Sequence, residues 1–278
     1  MALEEGGRLS ELRARVGASH GITDLTCKLH FYDQWAQDYD QDVAMLQYRA
    51  PRLAVDCLTR ALPGPPHDAL ILDVACGTGL VAVELQARGF LQLHGVDGSP
   101  GMLEQARRTC HIPTWDLGPT DTSGRPGPTQ APPYGYHPPG WSEATVKTNH
   151  HTRSAPPPPT GTFDAVLMVG ALSDGQVPCS AIPELLRVAK PGGLVCLTTR
   201  TNPSNLRYKE ELEATLDRLE QAGAWERLMA WPVEQWELAT SKLEVGPGTS
   251  DSDGFISGIV YLYRKQEAAW AEGVRPSA

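Results

Sequence analysis

Apolar and aromatic residues recur at helical spacing from Leu25 to Leu62, and the run stops at Pro63-Gly64-Pro65-Pro66. Two helices split near Pro51 are expected. The period then changes. ALILDVA, residues 69–75, is too short for a helix and rich in branched side chains, which predicts a fully buried strand. LVAVELQARG, 80–89, returns to helical period and closes at Gly89. LQLHGVD, 91–97, reads as a second strand. Ser99-Pro100 then opens a helix through Ala106, with serine as cap and proline at the first helical position. Strand, helix, strand, helix is the signature of a parallel sheet.

Between His111 and Gly161 no apolar period continues, and twelve of the 24 prolines fall there among glycine, serine and threonine. Such a segment buries too little surface to offset its ordering entropy, so 111–160 is expected to be a disordered insert. Only ATVKT, 144–148, offers a makeshift edge strand. Order resumes with TFDAVLMVGAL (162–172), a strand. IPELLRVAKPGG (182–193) is a short helix stopped by Pro191-Gly192-Gly193, and LVCLTTR (194–200) another strand. An amphipathic helix is expected over 205–222, with Glu210, Glu211, Asp217 and Arg218 on its wet face. VEQWELA (233–239) and FISGIVYLYRK (255–265) then form an antiparallel strand pair with a long connection. One domain over 25–265 follows, with flexible ends at 1–24 and 266–278.

Composition narrows the classes. Hydrophobic residues make up 41% of 278, enough for a real core, and the net charge of −9 argues against a surface built for nucleic acid. The six cysteines are scattered, without the close pairs of a zinc or redox site. No membrane-length apolar run and no leader peptide is visible, so a cytoplasmic or nuclear monomer is expected.

Chemistry is concentrated in the first strand-to-helix turn. Ala75-Cys76-Gly77-Thr78-Gly79 leaves backbone N–H groups aimed outward, with glycines that let a ligand approach the main chain. Asp97 closes the second strand at about the offset where an acidic side chain reaches a ribose hydroxyl pair; its competing role is a turn cap in Asp-Gly-Ser-Pro. Ala82 at the sixth position from Gly77 leaves NAD open. Asp73, four residues before Gly77, would repel a pyrophosphate and suits a cationic ligand.

LDVACGTG, HGVDGS, FDAVLMVGAL and AKPGGLVCLTT, in that order, resemble the motif set of class I, seven-stranded S-adenosylmethionine-dependent methyltransferases, and FYDQWAQDYD resembles the aromatic N-terminal helix of that family's small-molecule branch. Ala75 stands where the family's first loop usually has glycine. The resemblance covers about 20–108 and 161–265. It implies an α/β, Rossmann-like, doubly wound, mostly parallel sheet with an antiparallel C-terminal strand in three α/β/α layers, strand order 3-2-1-4-5-7-6. The family's third strand falls where the insert lies.

The same resemblance implies S-adenosylmethionine as cofactor. Gly77 and Gly79, with Ala75 in the same loop, would admit its methionine part, and Asp73 would fix its ammonium end. Asp97 would hold the ribose; Gly98 and Met102 would border adenine. Val169, Gly170 and Ala171 would line the floor, and Tyr39 would close the pocket. The acceptor would be a small molecule or a protein side chain. Asp174, Tyr32 and His30 are candidates for activating it, each with an ordinary loop or helix-surface role that the sequence favours. The absence of an Asn/Asp-Pro-Pro-Tyr/Phe run after the fourth strand weighs against methylation of amide or base nitrogens. The alternative is a non-catalytic relative, binding the cofactor, its product or a partner, with a pocket impaired by the insert.

Overall fold

The computed structural model describes residues 2–20, 22, 24–110, 159–241, 244 and 254–267. Four helices precede the sheet: α1 (Ala2–His20), α2 (Leu25–Trp35), α3 (Tyr39–Met45) and α4 (Ala50–Ala61). The first occupies part of the stretch expected to be a flexible end, and its Leu12 is buried with Trp35 and Leu46. The two helices expected over 25–62 are three. Asp24 caps α2 by accepting the Cys27 amide at 2.8 Å, and Pro51 stands in the first turn of α4, where its missing N–H costs nothing. The helical spacing ran on across the breaks because α2 and α3 both turn aromatic residues inward.

The alternation that follows is as the pattern predicts: β1 (Leu70–Val74), α5 (Leu80–Gln86), β2 (Gln92–Val96) and α6 (Pro100–Thr109). After the insert come β3 (Phe163–Leu172), α7 (Ile182–Val188), β4 (Ala189–Arg200), α8 (Leu206–Gln221), β5 (Trp225–Leu238) and β6 (Phe255–Lys265). Two boundaries move. α7 ends at Val188, and Lys190-Pro191-Gly192-Gly193, expected to stop the helix, is instead the irregular start of β4, where the register against β3 shifts. β5 begins at Trp225, eight residues before the alternating stretch that signalled it, since 233 − 225 = 8.

The six strands lie in the order β2-β1-β3-β4-β6-β5. β1, β2, β3 and β4 are parallel, and β6 runs antiparallel to both β4 and β5. This is the implied order with its third strand missing among the described residues. The disordered insert and the ATVKT edge strand expected over 111–160 lie outside the described residues apart from Pro159 and Thr160, as does the tail apart from Gln266 and Glu267.

Both faces of the sheet are covered, which is why β1 and β3 read as continuous apolar runs. Ile71, Ala165 and Leu167 pack against α4, α5 and α6; Leu72, Val74, Val166 and Met168 pack with α7 and α8. The period of two along β1 therefore puts Asp73 on the α4–α6 side, with Ile71. Among the described residues no helix is long and apolar enough to cross a membrane.

Candidate functional site

The chain leaves β1 through a strained turn. Ala75, Gly77 and Gly79 all have positive φ, +56°, +56° and +90°, and at Ala75 that conformation costs a residue with a Cβ about 1–2 kcal/mol. The two glycines serve different ends. A Cβ on Gly77 would meet nothing within 4 Å, so its backbone borders open space; a Cβ on Gly79 would come within 2.8 Å of Cys110 Sγ, so that glycine lets α5 close on α6.

Asp97, just after β2, holds this turn from the side. Its Oδ2 accepts the Gly77 amide at 2.8 Å and its Oδ1 the Ser99 amide at 2.9 Å. Burial raises its pKa, while these bonds and the Gly98 amide oppose the rise. Ser99 in turn caps α6 by accepting the Met102 amide at 3.1 Å.

Asp73 is 4% exposed, and neither carboxylate oxygen has a hydrogen-bond partner among the described residues. Burial, reinforced by the charge of Asp97, pushes its pKa well above the usual carboxylate range. An unpartnered buried carboxyl two residues before a strained turn is costly to the free protein and complementary to a cation.

A cleft of about 670 Å³, counting space open to solvent, lies at this end of the sheet. Ala75, Gly77, Asp97 and Met102 line one side, and Val169, Gly170 and Ala171 at the end of β3 line another. Tyr39 and Tyr32 close it from the N-terminal helices. Eight of the eleven residues singled out from the sequence thus meet in one cleft. Asp73, Gly79 and Gly98 do not line it. Gly170 has φ +75° and donates its N–H to Thr198 Oγ1 at 2.9 Å; a Cβ there would overlap the Tyr48 hydroxyl.

The three candidates for acceptor activation separate. Tyr32 lines the cleft, accepts Gln176 Nε2 at 3.3 Å, and has its pKa pushed up to about 12 by burial. His30 is exposed beside Gln34, and Asp174 is exposed; neither lines the cleft.

Sequence reasoning passed over several contributors. Lys28 is buried at the cleft, its Nζ donating to the Gly175 carbonyl at 2.6 Å, and desolvation lowers its pKa. Asp33 accepts the Ser99 hydroxyl at 2.5 Å and the Gly101 amide at 2.8 Å, fastening α2 to α6. Asp40 accepts the Thr78 hydroxyl at 2.5 Å, fastening α3 to the glycine turn. Both aspartates lie in FYDQWAQDYD, whose aromatic residues drew attention first.

A second chamber of about 630 Å³ adjoins the first and shares Tyr32, Tyr39, Gly170 and Gln176 with it. Trp35, Tyr48 and Trp236 furnish its aromatic walls, and Ser173, Arg200 and Glu237 its polar ones. Burial raises Glu237 to about 7, with Arg200 pulling it down and Glu244 pushing it up.

Residues 45–239 match the family described as methyltransferase domain. The chain is 66% identical over 243 residues to human Methyltransferase-like protein 27, covering 87% of this chain and 86% of that protein. It is 27% identical over 262 residues to the demethylmenaquinone methyltransferase of Clavibacter sepedonicus, covering 89% and 93% of the two. A chain from the complex of the Haloferax volcanii Trm112 methyltransferase activator superposes with a TM-score of 0.52 at 15% identity, over 85% of this chain and 98% of that one, a likeness of fold.

Proposed function

Because this chain belongs to the class I S-adenosylmethionine-dependent methyltransferase family, we propose that it binds S-adenosylmethionine in the first cleft and transfers its methyl group to a small molecule or a protein side chain. The observation that carries the reading is Asp73: two buried carboxylate oxygens without a donor, behind a turn whose Gly77 backbone borders open space.

The residues present fit the cofactor. Asp73 supplies buried negative charge beside the turn that favours its ammonium group, and Lys28, a buried cation lining the cleft, answers its carboxylate. Asp97 accepts the Gly77 and Ser99 amides and keeps acceptor capacity for a ribose hydroxyl. Gly98 shapes the turn there, and Met102, 2% exposed, gives adenine a soft apolar wall. Val169, Gly170 and Ala171 form the floor, and Tyr39 closes the site. Bound S-adenosylmethionine supplies an already activated methyl group. The protein's task is then to hold an acceptor in line at near-attack distance and exclude water, for which a strong base is optional.

Calorimetric titration with S-adenosylmethionine and S-adenosylhomocysteine tests the reading. Micromolar binding of both, weakened tenfold or more by Asp73→Asn, is expected. A folded protein that binds neither would refute it.

A further inference from the structure

The second chamber is contiguous with the first through Tyr32, Tyr39, Gly170 and Gln176, and most of its lining lies outside the residues assigned to the cofactor. Five aromatic side chains, Tyr32, Trp35, Tyr39, Tyr48 and Trp236, line part of it. The Tyr32 and Trp35 rings stack at 6.0 Å, and Trp35 meets Tyr39 edge-on at 4.9 Å. Such walls favour a flat body and, through their ring faces, a cation.

The charges point the same way. Arg200 Nη1 lies 3.1 Å from Glu244 Oε1, so that cation is already paired. Glu237 is half-buried, and among the described residues no hydrogen bond or ion pair reaches its carboxylate. Ser173 Oγ, also lining the chamber, is buried without a hydrogen-bond partner among the described residues. A carboxylate ligand would meet the charge of Glu237, and a neutral one would leave Glu237 unanswered. Val16 and Ser19 of α1 line the chamber as well, which suits a free small molecule better than a residue on a polypeptide.

We infer that this chamber is the acceptor site and that it takes a compact, flat-bodied amine bound in its ammonium form, with Glu237 as the anionic contact and the aromatic side chains as flanking walls; the nitrogen cedes its proton to Glu237 before its lone pair can accept a methyl group. The inference rests on the methyltransferase reading above and names its substrate class. The groups facing Glu237 are Arg200 from β4, Glu244, and the hydroxyls of Tyr32, Tyr39 and Tyr48. Those three phenols stay neutral at pH 7 because burial raises each of them, so Glu237 is the group free to change charge.

The probe is phenethylamine, compared with phenethyl alcohol and phenylacetate, titrated by calorimetry in two buffers of different ionisation enthalpy, with and without S-adenosylhomocysteine. Phenethylamine is expected to bind at least tenfold more tightly than either analogue. A carboxyl near pKa 7 is half protonated at pH 7, so binding the ammonium should release about half a proton. Glu237→Gln should abolish both the preference and the proton release while binding S-adenosylhomocysteine as the unaltered protein does. Equal or tighter binding of the alcohol or the carboxylate, or retained preference in Glu237→Gln, would overturn the inference with the cofactor reading intact. Failure of S-adenosylhomocysteine to bind would instead strike the cofactor reading, and the amine titration without it would decide the chamber separately.

Discussion

Asp97 accepts the Gly77 amide at 2.8 Å, so the residue that ends β2 sets the conformation of the turn that ends β1. The bond joins two sites that the sequence offers as separate signals, a glycine loop and an acidic residue 20 positions on, and makes them one device. The carboxylate that would hold a ribose is already oriented before any ligand arrives, which lowers the ordering cost of binding.

Asp97→Ala should therefore weaken S-adenosylhomocysteine binding by roughly 10- to 100-fold, the equivalent of about 1.5–3 kcal/mol for charge-assisted hydrogen bonds. It should also raise amide exchange at Gly77 and Ser99. Calorimetry gives the first and hydrogen exchange the second. Loss of affinity with exchange unchanged would separate ribose contact from loop support.

Asp73 should produce opposite effects on stability and on affinity. Its folded pKa is raised, so its protonated form favours folding below the unfolded value of about 4, and that contribution is lost as pH rises toward the folded value. Thermal melts of the free protein should show Asp73→Asn gaining on the unaltered protein as pH rises above about 4, while its cofactor affinity falls. Melts that stay parallel across pH would mean the carboxyl is paired in solution.

Gly170→Ala combines a left-handed backbone with an overlap against the Tyr48 hydroxyl. The expected loss is about 2–5 kcal/mol in denaturant unfolding, about 1–2 from the backbone and the rest from steric displacement. Adding Tyr48→Phe should restore the steric share alone. The double-mutant cycle measures that coupling.

Gly258 on β6 has no unusual φ, but a Cβ there would overlap the Trp236 indole. Gly258→Ala should cost about 1–3 kcal/mol of stability and shift the tryptophan fluorescence. Because Trp236 lines the second chamber and not the first, phenethylamine binding should suffer while S-adenosylhomocysteine binding persists.

What could be read from the sequence follows the range of the interactions involved. The turn after β1, Asp97 and the floor at Val169-Gly170-Ala171 are legible because each lies at the end of a short apolar strand, and parallel sheets gather such ends together. Glu237 carries no such signal. It becomes part of a site only through long-range pairing, β5 with β6 and β6 with β4, with a register shift between Val233 and Glu237. Lys28 and Asp33 read as the polar face of an aromatic helix, since nothing local shows that Gly175 and Ser99 will meet them. The break between α2 and α3 is hidden in the same way: both helices feed one buried cluster around Trp35 and Tyr39, so their apolar periods run on from one to the next.

The position of β6 between β4 and β5 has a consequence for how the molecule is assembled during synthesis. Strands β1 to β4 can pair as they leave the ribosome, completing the first cleft. β5, although made earlier than β6, has no sheet neighbour until residues 255–265 emerge and slot in beside it. A nascent chain would thus possess its first cleft before it has the wall carrying Trp236 and Glu237. A chain interrupted between residues 238 and 255 would keep the first without the second.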